Sequence, residues 1–452
     1  MGKKATIVGG GLVGSLWSVN LAQRGYEVDV FEKRPDMRTG NVLGGRSINL
    51  AISKRGLTAL AQVGMREQAL ELAIEMKGRF LHLEDGRTEL QSYGGQEGET
   101  INSISRAGLN QLLLNEASKN PAVSMHFNQE CGRMELDRKR IEFVDTKTGE
   151  TRWHNYETMF ATDGAFSGVR SALESSGVVE TRLEPLTHAY KELVIPAGPK
   201  GTFLIEKNAL HIWPRKSYML IALPNLDGSF TVTLFLPEKG EDASFESLDS
   251  EAKVVEFFNT TFPDAVPYLD NLAKTFFENP TGSLTTVRAN PWNYKNEIAL
   301  MGDAAHAVVP FFGQGMNAGF EDCEVLAKMI DDSNGDVSLS NYTESRKENG
   351  DAIADMAIEN YIEMRDHVAD DAFRFRKEID HYLERELKGK YRSKYGLVTF
   401  TQAPYRVAKD SGAIQKEILN ELAQGITKPE EVDLRKAENL IEKKLGHLKA
   451  YL

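Results

Sequence analysis

The chain holds only two cysteines, Cys131 and Cys323, among 452 residues. Two thiols exclude a disulfide framework and a cysteine-rich zinc site. They suit a reducing compartment, each serving as a small apolar group. Long apolar runs are missing too: nothing approaches the ~18 apolar residues that a membrane-spanning helix needs. Positive charge is in deficit, with 54 Lys and Arg against 66 Asp and Glu and a net charge of −12. That balance argues against nucleic acid or an anionic membrane as the main partner. No repeat or low-complexity tract is evident, no metal-ligand cluster stands out, and Gly-x-Gly-x-x-Gly occurs once.

What is present describes a soluble globular protein: 41% apolar and 27% charged residues. The length exceeds one ordinary core, so two or three domains are expected. The N-terminus carries two misleading signals. Lys3-Lys4 before an apolar stretch to Ala22 imitates a signal peptide, but no small-residue cleavage site follows. Met1-Gly2-Lys3-Lys4-Ala5-Thr6 fits the loose myristoylation pattern, yet Thr6 should begin the first strand.

A glycine fingerprint explains that stretch better. Ala5–Val8 reads as a buried strand, Gly14–Arg24 as a helix closed by Gly25, and Glu27–Glu32 as a second strand. This is a βαβ unit of the size a dinucleotide fold requires. Gly9 permits the tight turn, Gly11 lets a pyrophosphate approach the backbone, and Gly14 lets the helix pack on the sheet. The helix N-terminus, with Val13 in its first turn, offers N–H groups to phosphates. Glu32 should accept hydrogen bonds from ribose hydroxyls, which favours FAD or NAD over a 2′-phosphate.

Two further motifs follow strand-like runs: Ala161-Thr-Asp-Gly-Ala-Phe-Ser-Gly-Val-Arg170, and Leu300-Met-Gly-Asp-Ala-Ala-His306 with Pro310-Phe-Phe-Gly-Gln-Gly-Met-Asn317. Three such motifs in this order indicate a protein that wraps a whole FAD. Asp303 can bond the ribityl chain, and Gly315, Met316 and Asn317 can bring backbone N–H groups to the flavin's O2 edge, stabilising negative charge there. Taken alone, Gly302-Asp303 reads equally as a helix cap. His306 reads as a buried, hydrogen-bonded histidine before it reads as a base.

Helical patterns recur near Lys54–Leu72 and Arg106–Lys119, and short strands run from Val123 to Asn155. Alternation then predicts neighbouring antiparallel strands at Leu210–Trp213, Ser217–Leu223 and Ser229–Leu236, with a turn at Asp227-Gly228. The chain returns to the first domain at Glu297–Leu300, and Gly315–Asp331 reads as a helix. After Tyr342 the pattern is helical, ending in an amphipathic helix over Glu430–Leu452. The expected class is α/β: a Rossmann-like FAD-binding domain interrupted by a mostly antiparallel β-sheet substrate domain, with a helical C-terminal region. The boundaries are 1–180 and 291–340 for the FAD-binding domain, 181–290 for the sheet domain, and 341–452 for the helices.

Together the fingerprint, Asp163-Gly164 and Gly302-Asp303 resemble the single-component FAD-dependent aromatic hydroxylases. That family lacks a separate nicotinamide domain, in agreement with the single fingerprint. Gly45–Gly56, Lys77-Gly-Arg79, Tyr93-Gly94, Ser103–Asn110, Pro310–Asn317, Glu359–Arg365 and Lys394-Tyr395 are similar to the kynurenine 3-monooxygenase family over essentially the whole chain. Eukaryotic members end in a hydrophobic anchoring tail. This chain ends in a charged helix, so the resemblance implies a soluble, cytoplasmic, bacterial-type member, monomeric or a homodimer.

The resemblance implies conversion of L-kynurenine, NADPH and O2 to 3-hydroxykynurenine through a flavin C4a-hydroperoxide. It implies that Arg79 and Tyr93 clamp the substrate carboxylate, that Asn360 and Tyr395 complete the polar end, and that Gln314, Phe311 and Phe312 lie near the ring. It places Lys33, Arg34, Ala51, Arg106, Asp163, Gly164, Asp303, Met316 and Asn317 at the FAD. Arginine suits a carboxylate because its fork is planar and always charged. Read without the resemblance, Arg79 is a surface ion pair, and Tyr93 and Tyr395 are core packing. An aniline ring already donates electrons to its ortho carbon, so no essential proton-abstracting base is expected. Three other readings stand beside this one: a hydroxylase of a phenolic acid, an FAD-binding protein without monooxygenase activity, and a reductase of isoprenoid chains.

Overall fold

The computed structural model describes residues 3–40, 49–94, 98–240, 242–335, 337–363 and 371–452. Residues 45–48 and 364–365 of the stretches cited above lie outside the described residues. The chain divides into two units. The first comprises 1–72, 104–185 and 285–354; the second comprises 73–103, 186–284 and 355–452.

The first unit is built on a six-stranded sheet in the order Asn293–Tyr294, Ile298–Leu300, Thr158–Ala161, Lys4–Val8, Glu27–Glu32, Val123–Phe127. Every pairing is parallel except that of the edge strand Asn293–Tyr294. Strands of a parallel sheet are covered on both faces, and Ile7, Val30, Phe160 and Leu300 are accordingly buried. Helix Leu12–Gln23 is buried almost all round, as a helix inside a protein must be when its apolar residues follow no single stripe. Its Trp17 meets Phe160 edge-on, with ring centroids 5.2 Å apart. A three-stranded antiparallel sheet, Gln129–Glu135, Arg140–Asp145 and Thr151–Asn155, adds Phe143, stacked on Phe31 at 3.8 Å.

A seven-stranded sheet carries the second unit, in the order Thr281–Asn290, Glu180–Ile195, Phe230–Pro237, Tyr218–Pro224, Ala209–Arg215, Gly78–His82, Thr88–Ser92. The chain passes between the units within Glu180–Ile195 and Thr281–Asn290. The hairpins expected from alternation are present, with His211 opposite Ala222 and Ile221 opposite Thr233. Helices Glu251–Thr261 and Leu272–Glu278 contribute Phe257, Phe258 and Phe276 to a core with Trp213, Leu220, Phe230 and Leu234.

Four features differ from the sequence reading. Residues 73–103 group with the second unit rather than with 1–180, because Gly78–His82 pairs in parallel with Ala209–Arg215, Arg79 opposite Leu210. Local pattern carries no information about so distant a partner. Residues 181–290 hold two helices as well as strands. The C-terminal helices divide, 339–354 grouping with the first unit and 355–452 with the second. The terminal helix spans only Leu434–Leu445, started by Asp433, whose carboxylate accepts from the Arg435 and Lys436 N–H groups, and followed by a 3-10 segment at Gly446–Tyr451. No helix among the described residues is long and apolar enough to cross a membrane.

Candidate functional site

One row of the first sheet sets the level of every nucleotide-binding motif. Phe31, Val8, Ala161 and Leu300 lie side by side across four parallel strands. Glu32, Gly9, Asp163 and Gly302 therefore emerge at the same carboxyl edge, where open α/β sheets bind their ligands.

The three fingerprint glycines have different physical causes. Gly9 has φ +104, and a Cβ there would sit 2.6 Å from Thr162 O. A Cβ at Gly14 would sit 1.9 Å from Gly9 O. Both positions are closed to any side chain. A Cβ at Gly11 would meet nothing within 4 Å. Gly11 is the N-cap of Leu12–Gln23, and no side chain caps that helix. It thus leaves open space beside uncapped backbone N–H groups, the form of a phosphate site.

Glu32 stands at the end of the adjacent strand. Its Oε2 accepts from Gly10 N–H at 2.8 Å, and its Oε1 accepts from Arg34 N–H at 2.9 Å and Arg34 Nε–H at 2.8 Å. Burial pushes its carboxyl up, but the bonds and charge of Arg34 outweigh this and hold it below the usual range. Arg34 Nη2–H adds a long fourth bond to Oε2 at 3.4 Å, which fills the about four acceptor positions of a carboxylate; a ribose hydroxyl would take the place of that longest bond. Lys33 and Arg106 are exposed. Val13 is half-buried, and its side chain packs on Gly302 and Gly319.

Asp163 accepts from Val169 N–H at 3.2 Å through Oδ2, while its Oδ1 is buried with no hydrogen-bond partner among the described residues. Burial pushes this carboxyl up. Gly164 has φ +87 and open space beyond its Cα. Gly302, at φ +56, turns the chain into helix Asp303–His306, with Asp303 exposed. The helix cap is Gly302, and the exposed Asp303 carboxylate, which caps no helix among the described residues, is accessible to a ligand. His306 is buried, donates or accepts at 2.6 Å to Asp322 Oδ2, and stacks on Trp292 at 4.7 Å.

Helix Gly315–Asp332 begins after Gln314 without a side-chain cap, leaving the N–H groups of Gly315, Met316 and Asn317 without intrahelical partners. The Asn317 side chain is fully buried and already used. Its Oδ1 accepts from Ser53 N–H at 2.9 Å, and its Nδ2 donates to Ala51 O at 2.9 Å and Gly313 O at 3.0 Å. Asn317 thereby clips the Ala51–Ser53 segment to the helix start. Phe311 is half-buried, and Phe312 and Gln314 are buried beside it. The backbone donors, the Gly11 opening and the exposed carboxylate of Asp303 fit an FAD.

Sequence reasoning missed what anchors this edge. Asp322 is fully buried. It accepts from Gly302 N–H at 2.9 Å and Arg346 Nε–H at 2.8 Å and is bonded to His306. Burial alone would raise its carboxyl, but His306 and Arg346 hold it below the usual range. Arg346 also pairs with Glu321 at 2.7 Å, and Glu321 pairs with the buried Arg55. The available signal was Glu321-Asp322 on the apolar face of the helix, a place that tolerates charge only when paired. Asp322→Ala is expected to cost about 3–5 kcal/mol, since it leaves a buried guanidinium short of a partner. Denaturant unfolding measures this, and a loss below about 1 kcal/mol would remove the anchoring role.

The second unit assembles a separate cluster. Arg79 lies on strand Gly78–His82, and Tyr93 follows the paired strand Thr88–Ser92. Tyr395 lies on helix Lys394–Phe400, capped by Ser393 Oγ accepting from Gly396 N–H at 3.0 Å. The Arg79 guanidinium carbon is 4.7 Å from the Tyr395 ring centroid and 5.7 Å from that of Tyr93. The two rings are near-parallel at 12°, with centroids 6.1 Å apart. Burial pushes both phenols up, that of Tyr93 well up, so both stay protonated donors near neutral pH. No carboxylate among the described residues pairs with Arg79. Asn360 is half-buried on helix Leu339–Ile362, and its neighbour Glu359 accepts from Lys394 at 3.2 Å. Asn360 and Tyr395 thus sit on elements joined by an ion pair.

Known proteins resemble this chain in sequence and fold. Residues 3–357 match the family described as FAD binding domain. The kynurenine 3-monooxygenase of Myxococcus xanthus is 48% identical over 97% of this chain and 95% of that protein. That of Dictyostelium discoideum is 43% identical over 99% of both. Among solved structures, 2-methyl-3-hydroxypyridine-5-carboxylic acid oxygenase superposes with a TM-score of 0.66 at 19% identity, covering 85% of this chain and 96% of that one. The p-nitrophenol 4-monooxygenase of Pseudomonas putida does so with 0.63 at 17%, covering 96% and 99%. These two share the fold. The sheet-edge cradle, the family match and near full-length identity to these relatives lead to one conclusion: the chain belongs to the kynurenine 3-monooxygenase family of FAD-binding proteins.

Proposed function

We propose that the chain hydroxylates L-kynurenine at the ring carbon ortho to the amino group, converting L-kynurenine, NADPH, a proton and O2 to 3-hydroxykynurenine, NADP⁺ and water. Bound FAD supplies the hydride acceptor and the site of oxygen activation. The observation that carries the substrate reading is Arg79, a cation among aromatic rings with no carboxylate beside it among the described residues. A substrate carboxylate completes the pair, and the protonated Tyr93 and Tyr395 hydroxyls donate to it without adding charge. Asn360 serves the amino acid's polar end, and Gln314, Phe311 and Phe312 serve the ring.

The N–H groups of Gly315, Met316 and Asn317 stabilise negative charge on the flavin. Gly11 and the N-terminus of Leu12–Gln23 hold the pyrophosphate, Glu32 the ribose, and Asp303 the ribityl chain. Asp163 and Gly164 serve the nucleotides at the same edge. No base is assigned at the ring. His306 is occupied by Asp322, and an aniline requires none. The chain's contribution is orientation and exclusion of water. Neither cysteine is in a disulfide, which supports a reducing compartment such as the cytoplasm.

Anaerobic mixing with NADPH tests the reading. Flavin bleaching should be faster with L-kynurenine present, and admission of O2 should yield a product heavier by one oxygen atom. Bleaching indifferent to kynurenine, or hydrogen peroxide as the sole oxygen product, would refute it.

A further inference from the structure

Behind the tyrosine cluster lies a set of buried acids that the reaction does not use. Glu384, on helix Asp371–Glu386, is 3% exposed. Its Oε1 accepts from both Ser393 N–H and Ser393 Oγ–H, each at 2.8 Å. Ser393 Oγ in turn caps the helix that carries Tyr395. The Glu384 oxygen also fills the space over Gly396, where a Cβ would come within 2.5 Å of it. One carboxylate therefore holds the serine two positions before Tyr395 and packs on the residue after it.

The same segment is tied to Tyr93. Arg392 pairs with Glu99, and Glu99 packs under Gly94, the residue after Tyr93. Gln415 fixes the Arg392 carbonyl at 2.8 Å. Both tyrosines facing Arg79 thus have their backbones set by acids outside the clamp, Glu384 buried and Glu99 half-buried.

We propose that Glu384 is a positioning residue for substrate binding, acting through Ser393 to hold Tyr395 at Arg79. The inference rests on the assignment of Arg79 and Tyr395 to the substrate carboxylate. Glu384 touches neither substrate nor flavin in this reading, so its effect falls on KM rather than kcat.

A pH dependence follows from its surroundings. Glu384 faces Asp380 and His381 on its own helix, and Arg392 and Ser393 on the segment that follows. Tyr391 donates to Asp380 Oδ1 at 2.7 Å. The second oxygen of Glu384, Oε2, accepts no hydrogen bond among the described residues and lies 3.9 Å from His381 Nδ1. Burial first, and the Asp380 charge second, push the carboxyl up to about 7. A folded value raised above the free one means the arrangement favours the neutral acid. That net penalty falls on the stability of the fold, which is lost as pH rises through about 7, whereas the two bonds donated by Ser393 pull the carboxyl down and are stronger to the carboxylate, so the hold on Ser393 tightens over the same range.

Steady-state kinetics of the FAD-loaded enzyme, with E384A, E384Q, S393A and Y395F, tests this. E384A and S393A should each raise KM for L-kynurenine about tenfold, the equivalent of one lost charge-assisted bond, with kcat within about twofold. The glutamine amide keeps an acceptor for Ser393 and cannot ionise. E384Q should therefore lack the fall in KM that the parent enzyme shows as pH rises through about 7. An unchanged KM in E384A beside a raised KM in Y395F overturns the positioning role alone, as do superimposable pH profiles of parent and E384Q. An unchanged KM in both E384A and Y395F overturns the clamp and the inference together. If E384A does not retain FAD, the E384Q profile decides.

Discussion

Arg79→Ala is expected to raise the KM for L-kynurenine at least a hundredfold while FAD stays bound. A guanidinium fork on a carboxylate makes two charge-assisted bonds, each worth about 1.5–3 kcal/mol, and every 1.4 kcal/mol is about tenfold in affinity. FAD should be untouched, because every residue assigned to it belongs to the first unit and Arg79 to the second. Arg79→Lys separates charge from shape. Lysine keeps the cation but loses the planar fork and its stacking on tyrosine, so most of the loss should persist. The measurements are substrate titration by calorimetry or kinetics, with flavin absorbance on the same sample. Loss of colour in the alanine variant, or an unchanged KM, would remove Arg79 from the substrate site.

Gly11→Val should give a folded, colourless protein. The space beyond Gly11 is open, since a Cβ there meets nothing within 4 Å, and its backbone at φ −72 and ψ −170 is extended and accepts any residue. The folded chain therefore tolerates valine, and only the pyrophosphate is displaced. Gly14→Val makes the contrast, because a Cβ within 1.9 Å of Gly9 O cannot be accommodated without moving the turn or the helix. That variant should lose stability as well as flavin. Flavin absorbance, circular dichroism and thermal midpoint distinguish the two. A yellow Gly11→Val protein would contradict the phosphate assignment, and equal destabilisation of both variants would contradict the division of roles.

That contrast shows how legible the cofactor site was. Gly9, Gly11, Gly14 and Glu32 are read within one short βαβ unit, which the structure forms from Lys4–Val8, Leu12–Gln23 and Glu27–Glu32. Asp163 and Gly302-Asp303 were also legible, since each follows a strand-like run. Val8, Ala161 and Leu300 share one register row, which brings motifs so far apart in the chain to one edge of the sheet. Arg346 and Glu384 carry no such sign, and Asp322 carries only its place beside Glu321 on the apolar face of its helix. A charged residue in a helix reads as solvated until its burial and partners are known. Residues 73–103 group with the second unit for a similar reason, since the partner of Gly78–His82 lies in a distant strand.

The amino-acid sequence by itself determined the nucleotide cradle, because steric limits on the backbone are local: a positive φ, a forbidden Cβ and a helix start are written in adjacent residues. Only the tertiary structure decided which charges are buried and what they face. Arg79, Tyr93 and Tyr395 become a cluster, and Glu384 its support, through strand pairing and helix packing between distant segments. Burial and Coulomb energy depend on distance in space, and no local pattern encodes that distance.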